Sequence, residues 1–258
     1  MNWIESVGRA ANALLVVAAL AIAKMAAAQL PTTDTTQHRF RLDATTLRPG
    51  QFVYETTLER NSATTILGSR TVTAARTTYN AAPAWLLLET RSSDGIPSTD
   101  SLLTDVAGLK PLHWSSTQGL ARLGAEFRGD TAFGATAAPS SRRSMVTVVP
   151  NGTMVSSAML ETALRLLPLQ TGWEDSTTAL SITLSSTTVV PMRLSVIGDD
   201  RVRVPAGTFD CWVVAVHADA SRGLYWVTKR DPQVVRSALD VPALGGAQLV
   251  SSLTRAVW

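Results

Sequence analysis

One cysteine, three histidines and a pair of adjacent aspartates are the residues of this 258-residue chain whose types could do chemistry. The cysteine, Cys211, sits in "VRVPAGTFDCWVVAV" (202–216). A thiol nucleophile needs a neighbouring base or cation to hold it as thiolate. Period-two alternation puts Phe209, Cys211, Val213, Ala215 and His217 on one face, and Asp210, Trp212, Val214 and Val216 on the other. His217 is then three pleats away, roughly 20 Å. Both faces are apolar through the middle, which predicts a central strand covered on each side, with Cys211 as a small hydrophobe inside it. His38, His113 and His217 lie far apart, and none stands in an HExxH or CxxC setting, so the sequence predicts no metal site. Asp199-Asp200 follows Gly198 and reads as a solvated turn between two strand segments. Asn151-Gly152-Thr153 matches a glycosylation sequon but reads as a turn. No GxSxG elbow, SxxK pair or phosphate-cradling glycine loop is present. The expectation is a protein that is not an enzyme, with no catalytic residue, metal or cofactor.

The elements that carry these residues are mostly strands. "QFVYETTLER" (51–60) alternates Phe52, Tyr54, Thr56 and Leu58 against Val53, Glu55, Thr57 and Glu59, the period of a half-buried strand. "RTVTAARTTY" and "AWLLLETRS" follow, the latter ending at the turn pair Asp94-Gly95. "TDSLLTD" and "LKPLHWSS" turn through Gly108, and "ARLGAEFRGDTAFGA" folds back at Gly129-Asp130. "RRSMVTVV" runs into the turn cluster Pro150-Asn151-Gly152. One segment breaks the rhythm. "VSSAMLETALRLLPL" (155–169) spaces Leu160, Leu164 and Leu167 at i, i+4, i+7, with Glu161, Thr162 and Arg165 opposite and Pro168 as a stop, which predicts one amphipathic helix against the sheet. Strands then resume to the end, including a hairpin through Val204-Pro205-Ala206-Gly207.

The first residues predict export. Arg9 precedes an apolar run from Ala10 to Ala23, Lys24 ends it, and Ala26-Ala27-Ala28 offers a small-residue cleavage pattern. The run is shorter than the ~20 residues a membrane-spanning helix needs, which argues against an uncleaved anchor. No cysteine follows the cut to carry a lipid. The expected organisation is a signal peptide over residues 1–28, a flexible polar segment over 29–39, and one β domain over 40–258, soluble and periplasmic or secreted. No later segment is long and apolar enough to span a membrane as a helix. A single cysteine allows no internal disulfide, and a domain of this size holds together without one. The net charge of +3 comes without a dense basic run, so nucleic acid is not an expected partner.

The run "LRLLPLQTGWEDS", then "VVPMRLSVIGDDRVRVPAGTFDCWVVAV", "GLYWVTK" and a closing "LVSSLTRAVW", resembles an uncharacterised bacterial family of exported proteins, domain of unknown function 3108. The clearest shared feature is the "VPAGTFDCW" hairpin, followed by the tryptophan-bearing "YWV" strand. The resemblance spans Leu164 to Trp258 and is one of strand rhythm over residues 40–150. The strand around Tyr225 departs from the pattern, running into "TKRDPQVVR" with little acidic character. The resemblance implies a mainly β fold, a curved antiparallel sheet or half-open β-barrel like that of bacterial lipoprotein carriers, with the helix on its concave side. It implies no established activity.

Such a sheet leaves a concave apolar space, the usual setting for a small-molecule site. Trp85, Trp114, Trp212 and Trp226 fall in predicted strands, and with Leu160 and Leu164 of the helix they are the candidate lining for a lipid-like ligand. The alternative is that these aromatics fill the core. A second functional class is a structural or assembly protein of the cell envelope with a protein partner, including a small outer-membrane barrel. Counting back from Trp258 gives Ala256, Thr254, Ser252 and Val250, a poor lipid-facing strip, and the aromatics are too few for two interfacial girdles.

Overall fold

A computed structural model describes residues 41–258 apart from 94–95, 139–140, 184–185 and 220. The expected signal peptide (1–28), the polar segment (29–39), His38 and the Asp94-Gly95 turn lie outside the described residues. Alternating sequence becomes strand along almost the whole described chain. The N-terminal half forms β1 (Gly50–Arg60), β2 (Ala63–Tyr79), β3 (Ala82–Ser93), β4 (Ile96–Asp105), β5 (Pro111–Gln118), β6 (Ala121–Arg128), β7 (Thr131–Ala138) and β8 (Ser141–Val148). The helix α1 (Ser157–Leu164) follows. The C-terminal half forms β9 (Glu174–Ile182), β10 (Thr187–Val204), β11 (Gly207–Ala218), β12 (Ser221–Thr228), β13 (Val234–Val241) and β14 (Ala247–Val257).

All fourteen strands belong to one antiparallel sheet, ordered β8-β7-β6-β5-β4-β3-β2-β1-β14-β13-β12-β11-β10-β9. The first half is a meander that walks outward from β1. The chain then crosses through α1 to the far edge, and a second meander walks back until β14 pairs with β1. Among the described residues β8 and β9 do not pair, so the sheet is curved but open. The crossover spans that gap: Met154 forms a parallel bridge to Ala179 on β9, and Val149 N–H donates to the Asp130 carbonyl at 2.7 Å.

The helix is enclosed by the sheet. Glu161 of α1 pairs with Arg70 on β2, while Leu160, one residue earlier, borders Met192 of β10, Val216 of β11 and Tyr225 of β12. Strands so far apart in the order can touch one eight-residue helix only if the sheet bends around it. Ser156 caps the helix start, its Oγ accepting from Met159 N–H at 3.2 Å. Ala158, Met159, Ala163 and Leu164 are at most 1% exposed.

Three expectations change. The helix stops at Leu164, short of Leu167, and it has no solvent face. Glu161 and Thr162 were expected to face outward, yet both are buried because the sheet surrounds them. Thr162 satisfies its hydroxyl by donating to the Ala158 carbonyl at 2.7 Å, and Glu161 finds an arginine. Asp199-Asp200 lies inside β10 and not in a turn. A bulge between Val196 and Gly198 absorbs the break in pattern, and the strand continues through both aspartates. The other turns fall as read, with Gly129 and Gly152 at positive φ and Val204 paired to Gly207 across a two-residue turn.

Leu164 is fully buried, so Leu164→Ala should lower the unfolding free energy by about 2–5 kcal/mol in urea denaturation. Leu120 is 81% exposed, and Leu120→Ala should leave stability within about 0.5 kcal/mol.

Candidate ligand-binding site

Alternation along β2 places Arg70 in phase with Val72 and Ala74, and along β3 it places Glu89 and Arg91 in phase with Trp85 and Leu87. Charged residues therefore share the inward face with the core. They meet the end of α1. Arg70 Nη1 donates to Glu161 Oε1 at 2.6 Å and lies 3.4 Å from Glu89 Oε1. Arg91 Nη2 reaches Glu89 Oε1 at 2.7 Å and Ser157 Oγ at 3.0 Å, and Ser157 Oγ itself donates to Glu89 Oε2. The Arg70 guanidinium stacks 4.5 Å above the Tyr54 ring. Tyr54 Oη in turn donates to the Val234 carbonyl and accepts from Gln233 Nε2, both at 2.8 Å.

Taking charges from water costs several kcal/mol per ion, on the order of the attraction that repays it, so this cluster survives only by mutual pairing. Burial works against the Glu89 carboxylate, but Arg91, Arg70 and Ser157 together outweigh it and hold Glu89 below the ordinary range. Burial, reinforced by the Glu89 charge, leaves Glu161 above it despite Arg70. Asp100, opposite Glu89 in the β3–β4 register, is pushed up to about 6 by burial and by the same Glu89 charge. Its Oδ1 accepts from Trp114 Nε1 at 2.8 Å. The Ser157–Glu89 bond ties the start of the helix to the sheet.

Two spaces adjoin this cluster. One, about 150 Å³, is bordered by Arg70, Glu89, Arg91, Glu161 and a set of hydroxyl residues. The hydroxyls form a row: Thr56 on β1 pairs in register with Ser251 on β14, Ser251 with Ser237 on β13, and Ser237 with Tyr225 on β12. The second space, about 340 Å³, is apolar and bounded by Leu160, Met192, Val216, Tyr225, Leu239 and Pro242. Tyr225 and Leu239 border both spaces. Gly223 also lines the apolar one, and a Cβ there would sit 2.6 Å from Leu239 Cδ2.

The structure brings only Leu160 of the six expected lining residues to this cavity wall. Trp85 is fully buried under the Arg76 guanidinium, 3.9 Å from its ring, and Leu164 is fully buried in the core. Trp114 is buried and held by Asp100. Trp226 alternates with Tyr225 and points to the opposite face, where Arg236 stacks on it and its Nε1 donates to Asp200 Oδ2 at 3.0 Å. Trp212 is half-buried beneath Lys229 Nζ, 4.2 Å from its ring, and Lys229 is itself bound to Asp199 at 2.7 Å. Cys211 is fully buried. Burial, with the Asp200 and Asp210 charges, pushes its thiol up to about 12, and its Sγ donates to the Phe209 carbonyl at 3.6 Å. It is a packing residue. His113 bonds Glu126, which also accepts from Tyr79, and His217 meets Arg222. Among the described residues no three His, Cys, Asp or Glu side chains cluster to hold a metal ion. Sequence reading missed Arg70, Glu89, Ser237 and Tyr225. Their signal was present as polar residues at inward-phase positions, visible only once each strand's phase is fixed.

An open antiparallel sheet bent around one buried helix, with polar and apolar spaces between them, defines a half-open barrel. The chain belongs to the family described as protein of unknown function DUF3108, matched over residues 54–247, the family that the "VPAGTFDCW" hairpin indicated. A crystal structure of a beta-barrel-like protein of domain of unknown function DUF1849 from Brucella abortus is similar at 14% identity, with a TM-score of 0.49. The match covers 84% of this chain and 98% of that one. No curated protein matches.

Two substitutions test the cluster. Arg70→Met strands the buried Glu161 carboxylate, while Glu89 keeps Arg91 and Ser157, and should cost about 3–5 kcal/mol of stability, much of it recovered in the Arg70→Met/Glu161→Leu double variant. The folded protein keeps the Asp100 proton up to about pH 6, whereas an unfolded aspartate releases it near ~3.9. In that window the native state binds more protons, so this group's contribution to stability falls as pH rises. Asp100→Asn keeps an acceptor for Trp114 and removes that loss. Its stability relative to the parent should climb between pH 4 and 6 and level off above, as read by urea midpoints across pH.

Proposed function

We propose that this protein is a non-enzymatic, exported binding protein that holds an apolar, lipid-like ligand between α1 and strands β10–β13. The observation that carries this reading is the apolar space of about 340 Å³, a volume within the range of roughly 300–1,000 Å³ that small-molecule sites occupy. Its walls are mostly aliphatic, with Tyr225 as the aromatic member and Ser221, Arg222 and Asp240 as the polar ones, and it opens beside the helix. The apolar run and alanine cluster near the amino end support export. Among the described residues no helix is long and apolar enough to cross a membrane. A membrane-spanning barrel needs a closed ladder, and the β8 and β9 edges leave this sheet open.

A protein partner has its own favoured place. On β7–β8, Phe133 pairs with Val146, and Val146 and Val148 are 68% and 70% exposed on a strand that has no second strand partner among the described residues. An edge of that kind accepts an added strand from an envelope partner.

The chain purified from its own envelope without detergent should show a discrete added mass in native mass spectrometry, lost on organic extraction. Ala218→Phe fills the apolar space and should abolish the added mass while leaving the far-ultraviolet circular dichroism unchanged. A bare protein mass, together with no binding of a fatty-acyl probe, overturns the reading.

A further inference from the structure

The two spaces differ in chemistry and share a wall, and that juxtaposition points to the shape of the ligand. Tyr225 and Leu239 border the apolar space on one side and the polar space on the other. In the polar space, Ser237 and Tyr225 are 4% and 5% exposed, yet neither hydroxyl has a hydrogen-bond partner among the described residues. Ser251 is bonded only to Thr56 Oγ1, at 3.3 Å. Among the described residues the sealed polar atoms of this wall without a partner are Arg70 Nε, Arg70 Nη2 and Glu161 Oε2, so the two hydroxyls, adjacent in register on neighbouring strands, open onto the cavity and can bond what enters it.

The charge around them narrows what that can be. Arg70 and Arg91 face Glu89 and Glu161, two cations against two anions, with Asp100 adding a further carboxyl. Both arginines pair with these carboxylates, so the charge bordering the polar space is balanced, while Arg70 Nε, Arg70 Nη2 and Glu161 Oε2 stay buried without a partner among the described residues and leave donors and an acceptor unanswered for a neutral head. Arg222, exposed and bonded to His217, borders only the apolar space. A desolvated anion without its own countercharge is costly. Hydroxyls carry no such penalty, and each can both donate and accept.

We propose that the ligand is an amphiphile with an uncharged, hydroxyl-bearing headgroup, the class of a monoacylglycerol. Its head bonds Ser237 and Tyr225 in the polar space, and its chain lies past Leu239 against Leu160, Met192 and Val216. This rests on the apolar-ligand reading above and adds to it the chemistry of the head.

The test compares three probes of one chain length on the full chain at pH 7.4: 1-monooleoylglycerol, oleate and oleylamine, titrated by isothermal calorimetry below their aggregation thresholds. Monooleoylglycerol should bind at least about tenfold more tightly than either charged probe, a factor that one or two hydrogen bonds supply. Ser237→Ala combined with Tyr225→Phe should erase that preference while oleate binding stays within about twofold. Equal or tighter binding of oleate or oleylamine overturns the headgroup assignment and leaves the apolar site standing, as does a preference that survives the double variant. Failure of all three probes to bind overturns both. The parent protein's headgroup ranking decides the matter by itself if the double variant does not fold.

Discussion

The bond between Arg70 and Glu161 is the interaction on which the interior depends. A helix enclosed by a sheet has little access to water, so its buried charged and polar groups need partners on the strands. The sequence spends one glutamate and one serine of α1 on that requirement, and β2 and β3 answer with Arg70, Glu89 and Arg91. An aliphatic helix of the same size would pack at lower cost, but it could slide or rotate. Charged groups with fixed partners set its height and its angle. That orientation turns Leu160 toward β10–β12 and keeps the space beyond it from being filled.

The fold was legible where residues obey period two. The hairpins through Gly108, Gly129 and Pro205-Ala206 fall at their turn residues, because turn chemistry is local. Cys211 was legible for the same reason: an apolar residue on both sides of it in one strand means burial whatever the tertiary fold. The helix was legible as a helix but not in its surroundings. Glu161 and Thr162 looked like a solvent face because helical periodicity reports which residues differ, not what lies opposite them. Only the sheet's closure around α1, a property of the whole chain, decides that.

The site was less legible than the fold. Tryptophans drew attention because large aromatics often line ligand spaces, yet here Trp85 fills the core and Trp212 and Trp226 are capped by Lys229 and Arg236. The residues that do line the interior are serines, one threonine, one tyrosine, aliphatic side chains and a set of charged residues, most of them unremarked in their own strands. Thr56, Ser251, Ser237 and Tyr225 become a row only through the register of four strands from opposite ends of the chain. No local window contains that information.

The strand order carries a consequence for how the molecule forms. Every pairing within β1–β8 and within β9–β14 joins neighbours in sequence, so each half can zip as a run of hairpins soon after it is free to fold. The seam is different: β1 pairs Gln51 with Val257, nearly the full length of the chain apart. That contact carries the largest loop-closure cost in the sheet and cannot form until the last strand is present. Arg70 and Tyr225, which border the site from either side of that seam, are therefore strangers until the final step. The polar space, bordered from both sides of that seam, exists only in the finished molecule, whereas the apolar space is bounded by residues of the C-terminal half alone; a chain held part-way would offer two hairpin ladders with open edges and an unclaimed charged helix between them.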